Sequence, residues 1–158
     1  MESLASLRKL FEYDYWANQE ALRGVATLNA AAERALKIVG HIIGAQRVWL
    51  GRLETPGAAA PAPWPLMGLE EANAAVSEMH QRWISFLGSL PPARLDEDLV
   101  HRNSKGAEFR APVRDVLMQL VTHSAYHRGQ VAAAVREAGG TPSATDYIVY
   151  VRRRRTKG

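Results

Sequence analysis

Apolar residues return every third or fourth position along four runs of this chain, and no stretch alternates long enough to read as an extended strand. That period draws one apolar stripe along a helix, and the stripe has to be covered by another helix. The first run spans Ser3 to Val25, with Leu4, Leu7, Phe11, Tyr15, Leu22 and Val25 on its stripe and Gly24 near its end. The second spans Ala30 to Leu53, with Ile38, Ile42, Ala45 and Trp49 along one face. The third spans Leu69 to Leu90, carries Val76, Met79, Trp83, Phe86 and Leu87, and is stopped by Pro91 and Pro92. The fourth begins near Pro112, a residue suited to a first helical turn. It ends near Gly139 and Gly140, which suit a C-terminal cap. Its stripe is Val113, Leu117, Leu120, Ser124, His127, Val131 and Val135.

What separates the runs is also informative. TPGAAAPAPWP, residues 55 to 65, holds four prolines, so it excludes helix and requires a long crossing loop between helices two and three. Residues 93 to 111 are mixed, and NSKG at 103 to 106 has the chemistry of a turn within a small hairpin. DYIVYV at 146 to 151 is a short apolar extension that packs back on the body. The expected fold is therefore all-α, a four-helix bundle with a long crossover and a short C-terminal extension.

A chain of 158 residues suits one domain, here residues 1–151, with 152–158 as a basic disordered tail. The net charge of +4 overstates the basic character of the body. The tail from Arg152 to Lys157 supplies five of the 20 basic side chains, and those remaining fall just short of the 16 acidic ones. A near-neutral body lacks the broad basic face of a nucleic-acid binder, so no specific nucleic acid is expected. The tail is read as a solvated, frayed end. No basic start leads into an apolar run, and no apolar segment is long enough to span a bilayer, so no membrane role is expected and a cytoplasmic location is the default. There are no cysteines, which excludes thiolate metal sites, disulfides and cysteine nucleophiles.

The chemistry concentrates in THSAYHRGQ, residues 122 to 130. At about 100° per residue His127 falls near the middle of the fourth stripe, and His123 lies about 40° aside. Two imidazoles at i, i+4 can share one ion, the spacing that HExxH zinc sites use, although Ser124 and Ala125 replace the glutamate of that motif. A third ligand is available in His41, at the edge of the second apolar arc beside Ala45. Neutral imidazoles suit zinc, nickel, copper and iron, and three protein ligands with open positions are the pattern of catalytic sites. The competing reading makes these three core histidines with satisfied hydrogen bonds. Asp14 and Asn18 sit on the first stripe, where a polar group needs a partner. Asp14 either accepts from the outer nitrogen of a ligand histidine, orients a metal-bound water, or makes an interhelical hydrogen bond. Gln130 lies seven residues past His123 on the same face and is a further outer-shell candidate. His80 and His101 are weaker candidates.

Four pieces together resemble the DinB-like (damage-inducible, YfiT-like) family: YDYWAN at 13 to 18, GHIIGAQRVWL at 40 to 50, HSAYHRGQ at 123 to 130 and GGTPSATDYIVYV at 139 to 151. The resemblance implies a four-helix bundle, often a homodimer, holding a divalent metal through His41, His123 and His127. Zinc or nickel rank first as the metal, with iron or manganese behind. Some relatives transfer or isomerise groups with low-molecular-weight thiols and others are described as metal-dependent hydrolases. The expected function is thus a metal-dependent enzyme, a hydrolase or a small-thiol-dependent transferase acting on a small molecule. A non-catalytic metal-binding or stress-response bundle is the alternative. Trp64 in the crossing loop could line a pocket. Trp16, Trp49, Trp83 and Phe86 either fill the core or contribute to a dimer face.

Overall fold

The structure, a computed structural model, describes residues 3–28, 32–103 and 105–155. Four long helices form it: α1 Leu4–Val25, α2 Glu33–Glu54, α3 Leu69–Ser89 and α4 Val113–Glu137. A hairpin of β1 Asp98–Arg102 and β2 Glu108–Pro112 precedes α4, and a fifth helix, α5 Tyr147–Arg155, follows it. The protein is a mostly helical bundle with one small sheet. No described helix is long and apolar enough to cross a membrane.

Local chemistry sets the boundaries. The Ser3 hydroxyl accepts from the Ser6 amide at 3.1 Å and caps α1. Pro91 and Pro92 end α3 and lead into a single 3-10 turn, Pro92–Asp96. Pro112 closes β2 and caps α4, so the helix begins one residue later, at Val113. Gly139 takes φ 82° and terminates α4. The expected start of the second helix at Ala30 lies outside the described residues, and the helix is seen from Glu33.

In the hairpin, Asp98 pairs with Pro112 and His101 with Phe109, antiparallel. The Asn103 side-chain oxygen accepts from the amides of Lys105 and Ala107 and shapes the turn.

Helix α4 packs most extensively on α2 and α1, α1 on α3, and α3 on α2. The ring order is therefore α1, α3, α2, α4, with α1 and α2 diagonal. One apolar core runs through it, with Leu7, Leu50, Leu87, Leu117 and Val135 fully buried. Each such side chain contributes about 1.5–3 kcal/mol of burial.

One stripe turns out rotated. On α2 the buried positions are Ala35, Val39, Gly40, Ile42, Ile43, Gly44, Gln46, Leu50 and Leu53, while Ile38 and Trp49 pack from the edge. On α4 the expected stripe is buried except at His127, which stands half-buried beside the fully buried Arg128. The cause is a polar cluster inside the core. The Arg128 guanidinium donates to Asp14 at 2.5 Å, to the Asn18 side-chain oxygen at 2.9 Å and to the Tyr13 hydroxyl at 3.3 Å. Gln46 and Asn18 donate to the other Asp14 oxygen at 2.7 and 3.0 Å. A buried ion pair whose carboxylate is also held by two amides is tolerated in a core, although the buried Arg128 Nε has no partner among the described residues.

The C-terminal extension does pack on the body, and it does so as a helix. Tyr150 is buried, and Tyr147 meets Tyr13 edge-on at 5.1 Å. The helix runs through Arg155 and so takes in the first four residues of the basic run. Arg153 reaches Glu20 at 2.9 Å and Arg154 reaches the Tyr150 hydroxyl at 3.1 Å. Residues 156 to 158 of that run lie outside the described residues.

Candidate metal centre

The interface between α2 and α4 brings His41 together with His123 and His127. One ligand nitrogen from each ring lies within 4.8 Å of the others. The ring centres are 4.4 Å apart for His123 and His127, 4.6 Å for His41 and His127, and 5.0 Å for His41 and His123. All three are half-buried, so the cluster opens to solvent.

Two of the rings have their tautomers fixed. The His41 Nδ1 lies 2.9 Å from the Pro63 carbonyl oxygen. A carbonyl only accepts, so Nδ1 carries the proton and Nε2 keeps a lone pair. The His127 Nδ1 lies 2.7 Å from the Gln130 side-chain oxygen, which assigns that ring the same way. Holding the outer nitrogen of a ligand imidazole by a carbonyl is how metal ligands are oriented.

The loop that supplies the Pro63 carbonyl is brought in by two glycines. A Cβ at Gly44 would lie 2.5 Å from the Pro63 oxygen, and one at Gly40 would collide with the Pro65 oxygen. With bare backbone one turn apart, α2 lets residues 63 to 65 lie directly on it. Trp64 then stacks on His41, ring centres 3.7 Å apart at 11°, while remaining 46% exposed. Tyr126, also exposed, stands edge-on to His127 at 5.0 Å.

The electrostatics favour the neutral form of His123 and His41. Burial pushes the His123 imidazole down to about 4, with His127 and His41 adding repulsion against a proton. Burial also lowers His41, opposed by its bond to Pro63 and reinforced by His127. Three imidazoles in one cluster, the outer nitrogens of two of them already engaged, form a donor set that a divalent cation fits. Zinc–nitrogen bonds of about 2.0–2.1 Å put paired ligands roughly 3.4 Å apart, a modest contraction of this cluster.

The other sequence candidates are placed as follows. Gln130 bonds His127. Asp14 is 3% exposed, and its described hydrogen bonds go to Arg128, Asn18 and Gln46, with none to a histidine. Of the uses open to it in the sequence, the structure shows the interhelical one. Burial raises its carboxyl above the usual range, against the pull of Arg128 and the amide donors. His80 stacks on Tyr15 at 4.0 Å, and His101 packs on Trp49 and Phe109, both away from the cluster.

The structure adds Arg128, Pro63 and the Gly40–Gly44 pair, which the reading of single residues did not assign. Arg128 directly follows His127, and an arginine amid the apolar positions of α4, with an aspartate on the α1 stripe, is the available signal. A backbone carbonyl leaves no such mark, though two glycines flanking a histidine helix hint at a close approach.

A family model described as the DinB family matches residues 4–157. This chain belongs to the DinB family. Protein DinB of Bacillus subtilis (strain 168) is 24% identical over 160 residues, covering 90% of this chain and 92% of that protein. The match spans all four bundle helices and thus the whole α2–α4 interface, and the three-histidine cluster in it could hold a metal ion.

Proposed function

We propose that this DinB-family chain is a metal-dependent enzyme acting on a small molecule, with a divalent ion held by His41, His123 and His127. Zinc and nickel suit three neutral imidazoles best, with iron and manganese next. The observation that carries the reading is the half-exposed three-imidazole cluster, with two outer nitrogens already taken by Pro63 and Gln130. A closed structural site takes four protein ligands, whereas three with solvent access leave room for substrate.

When bound, such an ion supplies Lewis-acid chemistry and brings a water or thiol toward ionisation near neutral pH. The chain's own groups set the frame for that chemistry. Pro63 and Gln130 hold His41 and His127 in one tautomer. Trp64 and Tyr126 present flat apolar walls beside the rings. Asp14 is engaged by Arg128 within the core, so we assign it no part in proton transfer. No cysteine is present, so a transferred thiol would be a small molecule. Hydrolysis and thiol transfer then differ only in what meets the ion beside the three rings.

The test is metal content by mass spectrometry of untagged protein never exposed to a nickel column, beside His127→Ala. The expected result is about one equivalent of metal, lost in the variant, and turnover of hydrolysable esters or of thiol-transfer substrates by the loaded protein. Neither protein retaining metal after zinc addition and dialysis would overturn the reading. Metal held without turnover would favour a non-catalytic metal-binding bundle.

A further inference from the structure

Against the crossing loop lies a cavity of about 710 Å³. That volume is in the range of small-ligand pockets. One wall is the outer face of α2 at Val48 and Arg52, another is the loop from Pro56 to Pro63, and the third is β1 at Val100, His101 and Arg102. Among the described residues no acidic side chain lines it, while two arginines and a histidine do.

Arg52 is the distinctive member. Its guanidinium lies over the Trp49 ring, 4.7 Å from the centre. Among the described residues its one hydrogen bond goes to the Arg102 carbonyl at 3.4 Å, and no ion pair engages it. Partial burial lowers its basicity, the mark of a cation short of counter-charge. His101, half-buried against Trp49, has a buried Nδ1 with no partner among the described residues. Burial, with Arg52 beside it, lowers the basicity of that ring, and the neutral imidazole still carries one N–H for an acceptor. Around these groups the walls are proline, alanine and valine.

We propose that this groove binds a small organic carboxylate, its carboxylate on Arg52 and His101 and its apolar body against the proline-rich loop. A guanidinium set over an indole ring is suited to bidentate recognition of a carboxylate. The site is separate from the histidine cluster. Arg52 lies eleven residues along α2 from His41, about 16 Å at the helical rise. Pro63 belongs to both, because it lines the groove and its carbonyl holds His41.

The probes are benzoate and its neutral isostere benzamide, titrated into ¹⁵N-labelled full-length protein and followed by NMR. Saturable benzoate shifts at the Arg52 and His101 side chains are expected, with benzamide at least tenfold weaker. Arg52→Gln should weaken benzoate at least tenfold. Should that variant lose its native spectrum, Ala58→Glu, which adds a carboxylate to the facing wall, should do the same. Benzoate binding should persist in His127→Ala, so failure of the metal reading leaves this result standing. Equal binding of the two probes, insensitivity to both substitutions, or no saturable benzoate shift would overturn the proposal.

Discussion

Arg128 Nη1 donates to Asp14 Oδ1 over 2.5 Å inside the bundle, one residue past His127. The pair fixes the rotation of α4 about its own axis. With Arg128 turned to the core, the neighbouring positions His127 and His123 face α2 instead, where His41 waits. Cores accept such a pair only when both partners are present. Removing the acid alone leaves a buried guanidinium without its counter-charge. Asp14→Ala should therefore destabilise the protein by about 3–5 kcal/mol. The double variant Asp14→Ala, Arg128→Met should recover a large part of that loss. Urea denaturation of the wild type, the two single variants and the double variant checks it, and additive losses would show that the pair does not couple.

That same cluster explains what the sequence showed and what it hid. The four helices, the crossing loop and the hairpin turn were legible because apolar period and proline placement are local signals. The stripe of α2 differs from the apolar pattern by about one position, and that of α4 differs only at His127, because Gln46 and Arg128 take core positions. Both count as polar in any pattern, and only Asp14 on a third helix makes their burial tolerable. The histidines were legible from i, i+4 spacing and one partner on an apolar helix. Their outer contacts were less so. Gln130 could be placed by helix geometry, whereas Pro63 acts through a backbone carbonyl that carries no side-chain signature. The helical course of Arg152–Arg155 carries no local signal, because Glu20 and Tyr13, on which α5 packs, lie far away in sequence.

Gly44 offers a sharp test of the loop's role at His41. Gly44→Ala places a methyl group 2.5 Å from the Pro63 oxygen and must push the loop off α2. His41 then loses the acceptor for its Nδ1–H. Loss of such an outer partner typically costs 10–100-fold in metal affinity. Competition titration with a zinc chelator should show a loss of that size. Gly51→Ala on the same helix meets nothing within 4 Å. It should leave affinity alone and stabilise the fold by up to about 1 kcal/mol through helix propensity. Equal effects of the two substitutions would assign the loss to helix chemistry and not to the loop.

Gln130 is the matching support on α4. It is exposed, so its substitution disturbs no packing. Gln130→Ala frees the His127 ring to rotate and to exchange tautomers, and zinc affinity should fall by about tenfold. Thermal stability of the metal-free protein should stay within about 0.5 kcal/mol of wild type, as for surface changes generally. Gln130→Glu keeps an acceptor in place and should restore affinity. Measuring affinity and melting separately distinguishes an orienting role from a structural one.

The depressed His123 predicts how the metal-free protein responds to acid. An unfolded histidine takes a proton near pH 6.5, while His123 in the fold stays neutral down to about 4. Above pH 6.5 both states are neutral at this position, and it leaves stability independent of pH. Between 6.5 and 4 the unfolded chain binds the extra proton, so stability falls as pH falls. Below about 4 both states are charged and this contribution levels off. Because the ring is partly open to water, the total loss should be smaller than the full shift implies. His123→Gln should therefore flatten the stability profile between pH 6.5 and 4 relative to the wild type, in metal-free samples. Chemical denaturation at half-unit pH steps measures it, and parallel profiles would show that His123 titrates normally in the fold.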